Sequence, residues 1–220
     1  MIAALKVLTA ARGEIGYHEG RSNGHWNNNE KYAAEVPGLA WANNQPWCAT
    51  FVCWCFNKAG LLDLLPTVSA SCNFMADAWK KAGRWSEYPA IGAQIFYGTA
   101  SNLEHTGIVI GYDDTTVTTV EGNTNTDGSA EGDGVYRKVH RRTDPWVVGY
   151  GYPKYAEGIR SADPAYAREL PRPKGPLTRG GKVDHALKDL RASKGRGRRG
   201  RLLAAAKAAL RKIARFPKKR

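Results

Sequence analysis

The sequence predicts an α+β fold, in which helices from the N-terminal half pack on an antiparallel sheet from the second half and a cationic C-terminal extension follows. Three observations predict it. Up to about residue 82, apolar residues recur at helical spacing. From residue 93 to 151 they form short β-branched runs separated by Gly, Asn and Asp. Finally, residues 1–155 hold 13 Lys/Arg against 15 Asp/Glu, whereas residues 156–220 hold 20 against 5, so the last part of the chain carries the whole excess behind the net charge of +13. A step that sharp marks a boundary.

Residues 3–14 read as an amphipathic helix. They do not read as an export signal, because Lys6 interrupts the apolar run and Arg12-Gly13-Glu14 follows without a cleavage site. Residues 48–59 form the second predicted helix. Phe51, Val52, Cys55, Phe56 and Ala59 are helically spaced, Pro46 precedes the segment and Gly60 stops it. Over 71–82, Ser71 is placed to cap Phe74, Met75, Ala78, Trp79 and Ala82 at the same spacing. Strands are expected at 93–98, 105–112, 116–121, 134–140 and 146–151. Asp113-Asp114 turns the second into the third. A loop of about three residues centred on Asp113 would put His105 opposite Glu121. Residues 122–134, rich in Gly, Asn and Asp, are expected as a long loop beside Glu121, edging a cleft. Trp54 reads as core, and Trp47 stands equally as core or groove wall.

Cys48 opens the second helix. Unpaired N–H groups and the helix dipole there favour thiolate over thiol, and thiolate is the nucleophilic form. Free cysteines are also among the most buried residues, so position alone leaves a structural thiol open. The downstream residues decide between the two. His105 begins one strand, and period-two alternation puts Glu121 and Asn123 on one face of the next. An imidazole to take the thiol proton, steadied by an acid or amide, is what a cysteine nucleophile needs.

The runs PWCATFVCWCF (46–56), HTGIVIGY (105–112) and VEGNT (120–124) resemble the CHAP family of cysteine- and histidine-dependent amidohydrolases and peptidases, in particular the CHAP modules of bacteriophage endolysins. EIGYHEG (14–20), DGVYRKV (133–139) and VGYGYPKY (148–155) extend the resemblance over about residues 1–155. It implies a papain-like fold and cleavage of an amide bond in bacterial peptidoglycan, by an N-acetylmuramoyl-L-alanine amidase or an endopeptidase. It further implies Cys48 as nucleophile, His105 as base, and Glu121 with Asn123 as the groups that orient and support the histidine. The chain departs from some relatives in lacking an Asp-rich calcium loop near the N-terminus. Gln45, the nearest candidate for an oxyanion-hole glutamine, is separated from Cys48 by Pro46 and is left out of the site. The competing reading is a noncatalytic wall-binding or structural virion component built on a papain-like module, against which the intact Cys/His/Glu set speaks.

Four cysteines, irregularly spaced, make neither a disulfide framework nor a zinc pattern. Asn123 to Gly128 starts like a calcium loop, but its twelfth position is Gly134 in place of a bidentate glutamate. No metal and no cofactor are expected. No run reaches the length of a membrane span. The resemblance and the missing signal fit a lysin made in the host cytoplasm that acts on the wall after release, or one carried on the virion. A monomer is expected.

The extension divides into a basic Pro/Gly-rich linker, 156–199, and a cationic amphipathic helix, 200–220. Within 201–216, Leu202, Leu203, Ala206, Ala209, Leu210, Ile213 and Phe216 fall in one arc of about 140°, opposite Lys207, Arg211, Lys212 and Arg215. Such a helix suits an anionic membrane or envelope lipid, and it equally suits docking on its own domain. Nucleic acid is not expected as a partner, since the GRGRRGR run comes with no base-reading or stacking motif.

Overall fold

The first helix, α1 (Ala3–Gly13), buries Val7, Leu8 and Ala11 as its amphipathic pattern requires. The computed structural model describes residues 2–126 and 132–166. A short hairpin follows α1, of β1 (Arg21–Ser22) and β2 (His25–Trp26), turned at Asn23-Gly24 with φ of 52° and 83°. Both residues take the left-handed region that this dipeptide tolerates. The one-turn α2 (Tyr32–Glu35) is capped by the Glu30 carboxylate, which accepts from the backbone N–H of Tyr32 and of Ala33. Neither element was expected, because both are too short to show a period.

Helix α3 (Cys48–Lys58) is buried from Cys48 through Phe56, so it is the core of the domain and not an amphipathic surface helix. It packs against α1 and α2 and against the strands Leu103–Tyr112 and Thr116–Thr124. Helix α4 (Cys72–Lys81) starts at the expected cap, where Ser71 Oγ accepts from Phe74 N–H at 3.4 Å. Trp79 Nε1–H donates to Gln94 Oε1 at 2.7 Å, tying α4 to the sheet.

The sheet comprises β3 (Trp85–Ser86), β4 (Gln94–Gly98), β5 (Leu103–Tyr112), β6 (Thr116–Thr124), β7 (Gly134–Arg141) and β8 (Val147–Gly151). It is antiparallel throughout, in the order β3-β8-β4-β5-β6-β7. Apart from the two-residue β3, these are the strands the sequence predicts. The α+β architecture is the one expected.

Three details differ. The β5–β6 loop is three residues long but is centred on Asp114: Ile108 pairs with Val120 and Tyr112 with Val117. Asp113 accepts from the N–H groups of Thr115 and Thr116, so it opens the turn instead of sitting at its middle. Second, β6 runs on to Thr124, because β7 continues to pair with it past Glu121. Third, residues 156–166, read from the sequence as linker, pack on this domain. Ile159 is buried, Ser161 bridges to Ala90, and Asp163 accepts from Ser86 Oγ at 2.8 Å. The compositional step at 155 marks where charge changes and not where packing ends. The compact unit extends to Pro171. The rest of the linker and the 200–220 helix lie outside the described residues.

Candidate active site

Cys48 is the first residue of α3, and its position is set from two sides. Before it, Trp47 is fully buried against Tyr17, Tyr32 and Phe51, with its indole N–H donating to Glu19 Oε2 at 2.5 Å. Trp47 is therefore core and not a groove wall, and it anchors the backbone entering the helix. On the other side, Gly122 of β6 lets the first turn come close. A Cβ there would lie 2.5 Å from the Trp47 ring and 2.7 Å from Phe51.

His105, near the start of β5, faces two partners. Its Nε2–H donates to Glu121 Oε2 at 3.0 Å, and the ring interacts electrostatically with Cys48. Burial opposes charging the ring, but the interactions with Cys48 and Glu121 outweigh it, and the imidazole pKa is pushed up to about 10. Cys48 is held well below the usual thiol range, chiefly by a hydrogen bond with Cys72. Burial works against this, and His105 and the Ala49 N–H add to it. The favoured state is a thiolate beside an imidazolium.

Glu121 is only 1% exposed and meets four donors. His105 takes Oε2. Oε1 accepts from Tyr97 Oη at 2.6 Å, from His140 Nε2 at 2.9 Å and from the Thr119 hydroxyl. Burial alone would raise this carboxyl, yet the histidine bonds and charges hold it well below the ordinary carboxylate range. Gly107 provides the space, since a Cβ there would sit 2.5 Å from Glu121 Cγ.

Asn123 does not join this network. Its backbone turns left-handed, φ 52°, within a register shift between Glu121 and Thr124. That breaks the alternation expected to align it with Glu121, and its Oδ1 is buried without a hydrogen-bond partner. Tyr97, Thr119, His140 and Cys72 enter the site without having been picked out. Thr119 was legible, being two residues before Glu121 on one strand. Tyr97 and His140 needed the pairing of β4 with β5 and of β6 with β7, and Cys72 needed the approach of two helix ends. Trp146, 40% exposed, lies parallel to His105 with centroids 6.2 Å apart and stacks on Tyr97 at 4.7 Å. Among the described residues no group of three or more His, Cys, Asp or Glu could hold a metal ion, and no helix is long and apolar enough to cross a membrane.

A cysteine at a helix start, with a histidine and a carboxylate on adjacent strands, is the papain-like arrangement. Residues 40–123 match the family model of the CHAP domain. The match starts eight residues before α3 and ends at Asn123, the fourth residue of VEGNT, and so contains Cys48, His105, Glu121 and Asn123. CHAP domains are cysteine- and histidine-dependent amidohydrolases or peptidases, and the match implies a hydrolase acting on peptidoglycan. No curated protein and no solved structure matches the chain.

Proposed function

We propose that this chain is a bacteriophage endolysin that hydrolyses an amide bond of peptidoglycan through a Cys48 thiolate. The observation that supports this most is the His105–Glu121 hydrogen bond beside a Cys48 whose thiol is lowered in part by His105, all inside the CHAP match. Cys48 attacks the scissile carbonyl carbon, and the oxyanion is met by backbone N–H at the start of α3. His105 gives its proton to the leaving amine as the C–N bond breaks, leaving a thioester on Cys48. His105 then takes a proton from water, the hydroxide adds to the thioester, and the thiolate leaves with a carboxylic acid released. Glu121 fixes the ring and stabilises its charge throughout. Asn123, whose Oδ1 has no hydrogen-bond partner, takes no part in these steps. The protein acts on the wall after release from the cytoplasm or from the virion, and the 200–220 helix binds anionic envelope lipid.

The test is the clearing of purified cell walls by the wild type and by Cys48→Ala. The wild type should clear them and the folded variant should not. Equal clearing would overturn the mechanism, and no clearing by either would favour a noncatalytic wall-binding role. Mass spectrometry of the products then identifies the bond. Free muramic lactyl groups with new alanine amino termini indicate an amidase, and cut cross-links an endopeptidase.

A further inference from the structure

Both Cys48 and Cys72 are the first residue of a helix, and their sulfurs lie 3.6 Å apart. Helix α4 is fastened at three points, two of them at its beginning. Cys53 Sγ donates to Ser69 O at 3.6 Å, tying the segment before α4 to α3. Asn73 Oδ1 accepts from Leu103 N–H at 2.9 Å, tying the first turn of α4 to the strand that carries His105. Gln94 holds the far end of α4 through Trp79. The meeting of the two thiols is therefore imposed by the packing of α3, α4 and β5.

The two helix starts are alike, so the helix ends do not decide which sulfur carries charge. The neighbours decide it. Cys48 has His105 beside it and Cys72 does not, while each thiol also meets a backbone N–H at its own helix start. The proton consequently stays on Cys72, whose thiol is pushed up by the bond to Cys48 and by burial. An S–H held against a thiolate is a charge-assisted donor, stronger than the same group against a neutral acceptor.

We propose that Cys72 is a positioning residue for the reaction, its S–H donating to the Cys48 thiolate and holding that sulfur in the attacking state. This rests on Cys48 being the nucleophile. Cys72 touches no reacting carbonyl in this assignment, and no bond to it is made or broken. It complements His105, which supplies the counter-charge from the β5 side.

The test is the rate of iodoacetamide alkylation at Cys48 against pH, with the modified residue located by tandem mass spectrometry. Four proteins are compared: wild type, Cys72→Ser, which keeps a donor, Cys72→Ala, and Cys72→Val, which fills the volume without one. In Cys72→Ala and Cys72→Val the acid limb should move up by about one to two pH units. Cys72→Ser should stay near the wild type. Wall hydrolysis should follow, with the variants losing most at acid pH and converging with the wild type near pH 9. Superimposed wild-type and Cys72→Ala profiles would overturn the proposal while leaving the nucleophile reading standing. If Cys72→Ala does not fold, the Val and Ser pair decides in the same way. A wild-type profile like that of a free thiol would instead count against Cys48 as an activated nucleophile.

Discussion

His105 and Glu121 meet diagonally across two strands. Nε2 and Oε2 are 3.0 Å apart, although the Ile108–Val120 pairing sets Glu121 against Gly107 and not against the histidine. A diagonal contact of that kind is within reach of long side chains on one face. It exists because Gly107 leaves the directly opposed place empty.

Gly107→Ala should therefore damage the site more than the fold. The added methyl would lie 2.5 Å from Glu121 Cγ and 3.0 Å from Val120 O, so the carboxylate must move off the histidine. A stability loss of about 1–3 kcal/mol is expected from the crowding. Urea unfolding and wall clearing measured together check it. Full clearing with intact stability would show that the glycine does not hold the space open.

Glu121→Gln keeps an acceptor for His105 and removes the charge that favours imidazolium. Hydrolysis should fall by about one to two orders of magnitude, the scale of a charge-assisted hydrogen bond. His105→Ala should be as severe as loss of Cys48. Turnover of soluble wall fragments by both proteins gives the order, and an equal loss in the two would mean that the carboxylate's charge is indispensable.

The pH profile follows from the signs of the two shifts. Cys48 is depressed and the imidazolium persists to about 10, so the reactive pair spans the neutral range. Alkylation of wild-type Cys48 should be flat from pH 6 to 9 at a given reagent concentration. Hydrolysis should fall as pH rises through about 10, where His105 loses the proton it must give. In His105→Ala the alkylation rate should climb at a higher pH than in the wild type, by an amount limited by the Cys72 bond that remains. Parallel profiles would show that the pair is uncoupled.

Much of this was legible in residue patterns, because long elements state their period and the nucleophile, base and acid lie at recognisable starts of a helix or on strands. α3, α4 and strands β4 to β8 fall within a few residues of expectation. What was not legible depended on contacts distant in sequence. The hairpin centre moved by one residue because Asp113 spends its carboxylate on the turn. Asn123 left the expected face because its backbone is left-handed. The four-donor shell of Glu121 and the Cys48–Cys72 pair need the sheet order and the meeting of α3 with α4, which no local pattern encodes.

Because residues 156–166 pack on the catalytic unit, which runs to Pro171, the informative truncation removes 172–220. It should spare cleavage of soluble wall fragments and impair lysis of intact cells if the 200–220 helix engages an anionic envelope. A free segment that short is marginal as a helix in water, so circular dichroism should show it forming only with anionic vesicles. Salt should weaken the association, since charges are screened over about 8–10 Å at physiological strength. Replacing Leu210 and Ile213 with Glu should be as damaging as the truncation, because it destroys the apolar stripe and leaves Lys207, Arg211, Lys212 and Arg215 in place. Lysis of intact cells and vesicle binding, each against a salt series, are the measurements. Undiminished lysis by the truncated protein would remove the extension from the mechanism, and tight binding of it to duplex DNA but not to vesicles would reassign it to nucleic acid.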